Sequence, residues 1–184
     1  MSRTLISLLE VTIILVWRAI LSPVLPESIA NCPYVAGALL DVPLGLVIVR
    51  SGESFNPMTV SCFGESAHYP TSMWISIHRD NFTHELLEKT KEFSFITLDA
   101  RQGALAVACG TSSGRTADKR GLVDGYEEGG YLFVRGAIAS AACRISNSVA
   151  VGDHTLFIAD MLSGNVDRQP GAIRNLLMSD LHRL

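Results

Sequence analysis

The stretch Ser51-Gly-Glu-Ser-Phe-Asn-Pro-Met-Thr-Val-Ser61 decides how the rest of the chain is read. It begins where the β-branched run Leu44-Gly-Leu-Val-Ile-Val49 stops being apolar, and Ser51-Gly52 is a turn signal. Asn56-Pro57 reads as a second turn, because the proline ring pushes the preceding residue out of the helical region. Met58-Thr59-Val60-Ser61 then alternates apolar and hydroxyl residues, which predicts a half-buried strand. One face of that strand would show Thr59 and Ser61, with the Asn56 loop nearby. Small hydroxyl and amide donors on a rigid strand suit a polar, neutral or anionic ligand such as a phosphate ester. A hairpin with a polar outer face is the plainer reading of the same residues.

Outward from there, 184 residues allow one domain with a sizeable core. Apolar residues make up 48% and charged residues 18%, which fits a globular protein with much buried strand. A formal net charge of −3 without a Lys/Arg cluster argues against a nucleic-acid binder, whose affinity rests on neutralising phosphates. The 4 Cys, at 32, 62, 109 and 143, show no C-x-x-C and no zinc-finger His spacing, so no metal site is expected. Free thiols in a reducing compartment are the simpler account.

Residues 5–21 are apolar except for Ser7, Glu10, Thr12 and Arg18. As a helix they would run roughly 25 Å, just short of a bilayer. Three readings stay open: an amphipathic packing helix, a signal or anchor, or a start codon placed too early. A cytoplasmic location is expected, with export or membrane association through 5–21 as the alternative. Pro23, Pro26, Pro33 and Pro43 make 22–43 an extended lead-in, so the organisation is expected to be 1–42 followed by a domain over 43–184.

Strands are expected at 44–49, 58–63, 72–78 and 93–98. The alternation in Ser72–His78 does not by itself choose the buried face. A helix is expected from His84 to Glu92, capped by Asn81 or Thr83 and preceded by Arg79, a combination that can hold an anion. Another helix spans Gln102–Cys109, followed by the loop Gly110-Thr-Ser-Ser-Gly114 and by Lys119. Such a loop can cradle phosphate, although the Walker A spacing is absent. Further strands are expected at 130–135, 136–145, 148–151 and 154–161, with a terminal helix over 170–184. Many strands at short spacing without a βαβ rhythm indicate a mainly β fold with short helices, closed as a barrel. No G-x-S-x-G, H-E-x-x-H or G-x-G-x-x-G occurs, so those hydrolytic sites and a Rossmann cofactor site are excluded. The neutral hydroxyl and amide groups, with Lys119 and Arg79 as cations, suit a flavin, which brings its own redox chemistry.

Four runs in order, F-N-P-M-T-V-S, W-I-S-I-H-R-D-N-F-T-H-E-L-L, C-G-T-S-S-G-R-T-A-D-K and V-G-D-H-T-L-F-I-A-D, resemble the flavin reductase-like family, nearest its flavoredoxin-type branch. The match covers about residues 43–165. The resemblance implies an FMN-binding split β-barrel, Greek-key-like in topology, usually a homodimer with flavin near the subunit interface. It implies that Asn56, Met58, Thr59, Val60 and Ser61 lie along the flavin ring and ribityl chain. It places Ser76, Ile77, His78, Arg79, Asn81 and Thr83 beside the phosphate, and Ser113, Gly114 and Lys119 in the loop whose lysine neutralises it. His154 matches a histidine near the ring and the nicotinamide, the catalytic candidate; a strand-start histidine held by the Gly152-Asp153 turn is the plainer reading.

The implied activity is NAD(P)H-dependent hydride transfer to FMN, with FAD the second choice of flavin. Alternatives are an electron carrier fed by a protein partner and a non-catalytic flavin-binding module. The sequence departs from the family pattern at Pro70-Thr71, at Arg120 and in the apolar lead 5–21.

Overall fold

The computed structural model describes residues 41–166 and 174–183. The apolar segment 5–21 and the lead-in up to residue 40 lie outside the described residues. The elements are β1 (Gly45–Ser51), β2 (Ser54–Val60), β3 (Phe63–His68), β4 (Thr71–His78), α1 (Phe82–Thr90), β5 (Glu92–Thr97) and α2 (Gly103–Thr111). They continue with β6 (Gly125–Glu128), β7 (Tyr131–Val134), β8 (Ala139–Val151) and β9 (His154–Val166). Seven strands form one antiparallel sheet in the order β2-β1-β5-β8-β9-β4-β3, and β6 and β7 pair as a separate hairpin.

This is a split β-barrel. The sheet curls until Phe63 on the β3 edge packs against Phe95 of β5, the rings tilted by 60° with centroids 4.7 Å apart. Register shifts between Glu65 and Ala67 and at two points along β8 supply bends of the kind that curvature requires. At Gly64 a Cβ would lie 2.9 Å from the Trp74 indole nitrogen, so a side chain there would force β3 and the ring apart.

Residues 45–49 of β1 are all apolar because that part of the strand is buried on both faces. Leu46 and Ile48 join an outer core with Ile96, Leu98, Ala106, Leu132 and Leu176. Val47 and Val49 point the other way, into the barrel, with Ile75, Ile77, Leu87, Phe93 and Phe157. The open choice of face on β4 is settled by Met73, Ile75 and Ile77, all at most 2% exposed.

Several sequence expectations change. Asn56-Pro57 is not a turn: both lie inside β2, with Pro57 opposite Ile48 of β1. Proline is tolerated there because β2 is an edge strand and loses no ladder donor on its outer side. The break falls at Ser61-Cys62 instead, and β3 was not expected as a separate strand. The two short strands expected over 136–151 are one 13-residue strand, β8. Of the terminal helix expected over 170–184, the described residues 174–183 show an extended start, where the fully buried Leu176 accepts from the Leu44 N–H and donates to the Leu98 carbonyl, and then a 3₁₀ segment over Met178–Arg183.

Candidate functional site

Two polar clusters flank the short connection Arg79–Asn81 between β4 and α1. The first lies where β2, the start of α1 and the loop after α2 meet. Asn56 donates from Nδ2 to the Thr83 hydroxyl at 2.8 Å, and both residues are buried. The Asn56 Oδ1 is also buried and has no protein partner among the described residues. Gly114 packs directly on it: a Cβ at position 114 would fall 2.0 Å from that oxygen and 2.9 Å from the Phe82 ring. Beside them is a cavity of about 340 Å³, lined by Ser51, Ser54, Asn56, Phe82, Arg115 and Lys119 among others.

The cation expected at this cavity is otherwise engaged. Lys119 is 3% exposed and its ammonium donates to the carbonyls of Cys109 at 2.6 Å and Ser112 at 3.0 Å. It therefore caps the carbonyl end of α2 with two of its three N–H groups. Burial pushes the lysine below its ordinary value and lifts the neighbouring Cys109 thiol to about 11. Arg115, which the sequence reading passed over, stands on the cavity wall. Its guanidinium lies 5.5 Å from the centre of the Phe82 ring, pairs with Glu85 and donates to the Asp80 carbonyl at 3.3 Å. The signal was in plain view: Ser113-Gly114-Arg115 brings a cation nearer the glycine than Lys119.

Thr59 was expected on the ligand face with Asn56 nearby. In a continuous strand, residues three apart point to opposite faces. Asn56 and Met58 accordingly turn toward α1 and the barrel interior, while Thr59 turns toward α2 and donates to the Ala106 carbonyl at 2.6 Å. Val60 and Ile77 put their side chains in the core, so only their backbone atoms are available to a ligand. Ser61 and Ser76 are half-buried and brought close by the Ser76 N–H, which donates to the Cys62 carbonyl. Asn81 is the N-cap residue of α1 without a side-chain cap, and Arg79, Asn81 and Ser113 are exposed.

The second cluster joins residues that the sequence kept apart. His78 and His154 are direct cross-strand partners at the ends of β4 and β9. Their rings lie 5.1 Å apart and nearly perpendicular. Asp153 sits between them, its Oδ1 2.6 Å from His154 Nδ1 and its Oδ2 3.5 Å from His78 Nε2. The hydrogen bond from His154 holds the Asp153 carboxyl below its ordinary value. The Asp80 backbone N–H donates to His78 Nδ1 at 3.1 Å. Asp80 therefore contacts Arg115 through its carbonyl and His78 through its amide.

A larger open groove of about 800 Å³, walled by Phe63, Met73, Phe95 and Met161, holds none of the residues nominated from the sequence.

The Flavin reductase like domain model matches residues 37–181. The chain belongs to this family. An NADH-dependent FAD reductase of Streptomyces globisporus is 28% identical over 127 residues, covering 67% of this chain and 70% of that protein. An NADH-dependent FMN reductase of Streptomyces nodosus subsp. asukaensis is 30% identical over 128 residues, covering 67% and 68%. Matched stretches span from 58% to 70% of the curated relatives' own lengths. The solved NADH:FAD oxidoreductase of Streptomyces globisporus C-1027 superposes with a TM-score of 0.74 over 86% of this chain and 95% of its own, at 24% identity, a likeness of fold. Membership makes this flavin reductase-like chain a flavoprotein of the oxidoreductase class. Among the described residues no helix is long and apolar enough to cross a membrane.

The residues present fit a flavin. The unpartnered Asn56 Oδ1 asks for a hydroxyl or N–H donor, which a ribityl chain carries, and the adjoining wall offers hydroxyls and one guanidinium for a phosphate. When bound, a flavin supplies two-electron redox chemistry at its ring.

Proposed function

We propose that this chain is an NAD(P)H:flavin oxidoreductase, with FMN as its flavin and FAD as the one to test against it. The observation that carries the reading is the placement of two unlike polar clusters on either side of Arg79–Asn81. One is a cradle of buried amide and hydroxyl groups for a hydroxylated, phosphorylated chain; the other is a half-exposed imidazole pair. Asn56, Thr83 and Gly114 would hold the ribityl chain, with Arg115 rather than Lys119 as the main phosphate cation. Backbone atoms of Met58–Ser61 and Ser76–Ile77 would border the ring, and His154 would hold the nicotinamide carboxamide. The NADH-dependent flavin reductases among its relatives support this reading over an electron carrier. Hydride transfer to the flavin then needs orientation and exclusion of water from these side chains, not a protein base. A homodimer and a separate role for residues 1–42 are part of the same proposal.

Titration of the purified protein with FMN and FAD, followed by rapid mixing with NADH and NADPH, tests it. The expected result is flavin binding and bleaching of the flavin band by at least one donor. No bleaching with either donor, despite bound flavin, would sink the enzyme reading.

A further inference from the structure

The hydrogen bonds around Asp153 fix the proton positions on two imidazoles. The Asp80 backbone N–H can only donate, so His78 Nδ1 must accept, and a neutral His78 ring carries its proton on Nε2. That Nε2–H faces Asp153 Oδ2 at 3.5 Å. An ionised Asp153 can only accept, so His154 Nδ1, 2.6 Å from Oδ1, must carry the proton of the neutral His154 ring. His154 Nε2 then keeps its lone pair, has no hydrogen-bond partner among the described residues, and belongs to a side chain that is 37% exposed. The ring is held from a second side by His78, whose perpendicular approach at 5.1 Å limits how His154 can turn.

We infer that Asp153 and His78 are positioning residues. Together they lock His154 in the Nδ1–H tautomer and present Nε2 as an acceptor for the –NH₂ of a nicotinamide carboxamide. The inference rests on the proposed contact of His154 with the nicotinamide and adds the groups that set the contact's polarity. With the opposite tautomer, Nε2–H would face that –NH₂, donor against donor. A carboxylate buttressing the far nitrogen of a working imidazole does the same job in metal sites and catalytic triads, where it selects the tautomer and orients the ring.

Ring ¹⁵N NMR of the full chain without nucleotide reads the tautomers directly, and steady-state kinetics with NADH reads their effect. The expected spectrum shows His154 protonated on Nδ1 and His78 on Nε2, with His154 turning to a tautomer mixture in Asp153→Asn. The expected kinetics show KM for NADH rising about three- to tenfold in Asp153→Asn, the loss of one well-oriented hydrogen bond, while kcat stays within about twofold. A wild-type His154 protonated on Nε2, or a His154 spectrum unchanged in Asp153→Asn, overturns the inference whatever the nucleotide does. If His154→Ala raises KM and Asp153→Asn does not, the inference falls and the nicotinamide contact stands. If His154→Ala leaves KM unchanged, the contact itself is wrong and the inference falls with it.

Discussion

The cradle at Asn56 and the cluster at Asp153 are anchored to the same three-residue connection but are built on opposite terms. In the cradle, Asn56, Thr83 and Lys119 are at most 4% exposed, and their side-chain polar atoms other than Asn56 Oδ1 are committed to another protein atom. In the cluster, the His78 and His154 side chains are 37% exposed and Asp153 is 72% exposed. A buried polar group left without its partner costs far more than an exposed one, which water can satisfy. Substitutions in the cradle should therefore reach stability before affinity. Those in the cluster should change function and leave the fold intact.

The sharpest way to break that contrast is Gly114→Ala. With Asn56 and the Phe82 ring in the way, the loop must move, and a loss of about 1–3 kcal/mol is expected in urea unfolding. Flavin binding should weaken at least tenfold in the same variant, read by fluorescence. Unchanged stability would mean that the loop does not rest on Asn56.

Lys119 and Arg115 separate the two roles within one loop. Lys119→Met should cost about 1–3 kcal/mol by stripping the donor from two carbonyls. Arg115→Ala should leave the unfolding midpoint in place and weaken flavin binding about tenfold, through loss of a charge-assisted contact to phosphate. The reverse outcome would restore Lys119 as the phosphate cation. A smaller effect is expected at Thr59→Val, about 0.5–1.5 kcal/mol of stability for the lost bond to Ala106, with flavin affinity unchanged.

The smallest effect is a pH limb. Burial is the main cause that lowers His84 from 6.5, and its Nε2 meets the Thr155 hydroxyl at 2.8 Å. The unfolded chain then binds the proton more readily, so stability is level above about pH 6.5 and falls as pH drops below it. His84→Gln should flatten that limb. The depressed Asp153 carboxyl acts in a separate range: its contribution is present above its unfolded value of 3.8 and lost as the pH falls further.

Much of the barrel could be read from the chain because apolar alternation and turn residues are local signals. The site was legible only in outline, and the errors share a cause. Placing a turn at Asn56-Pro57 restarted the strand count, which put Thr59 and Asn56 on one side when unbroken pairing with β1 puts them on two. The edge position that makes Pro57 acceptable is a property of the whole sheet and leaves no mark on neighbouring residues. Lys119 and Arg115 are both cations near a glycine loop, and both line the cavity; which one is spent on the carbonyls of α2 depends on where that helix ends in space. His78 and His154 are 76 positions apart by number, and only the β4–β9 register makes them neighbours.

The two-sided burial of β1 has a thermodynamic reading as well. A strand whose alternate residues belong to two different cores cannot leave one without unpacking the other, so neither core is free to melt on its own. The amides of Val47 and Ile48, fully buried at the junction, should exchange with solvent only through global unfolding. Their exchange rates would report the stability of the whole barrel, while those of the Asp153 turn would report no more than local fraying.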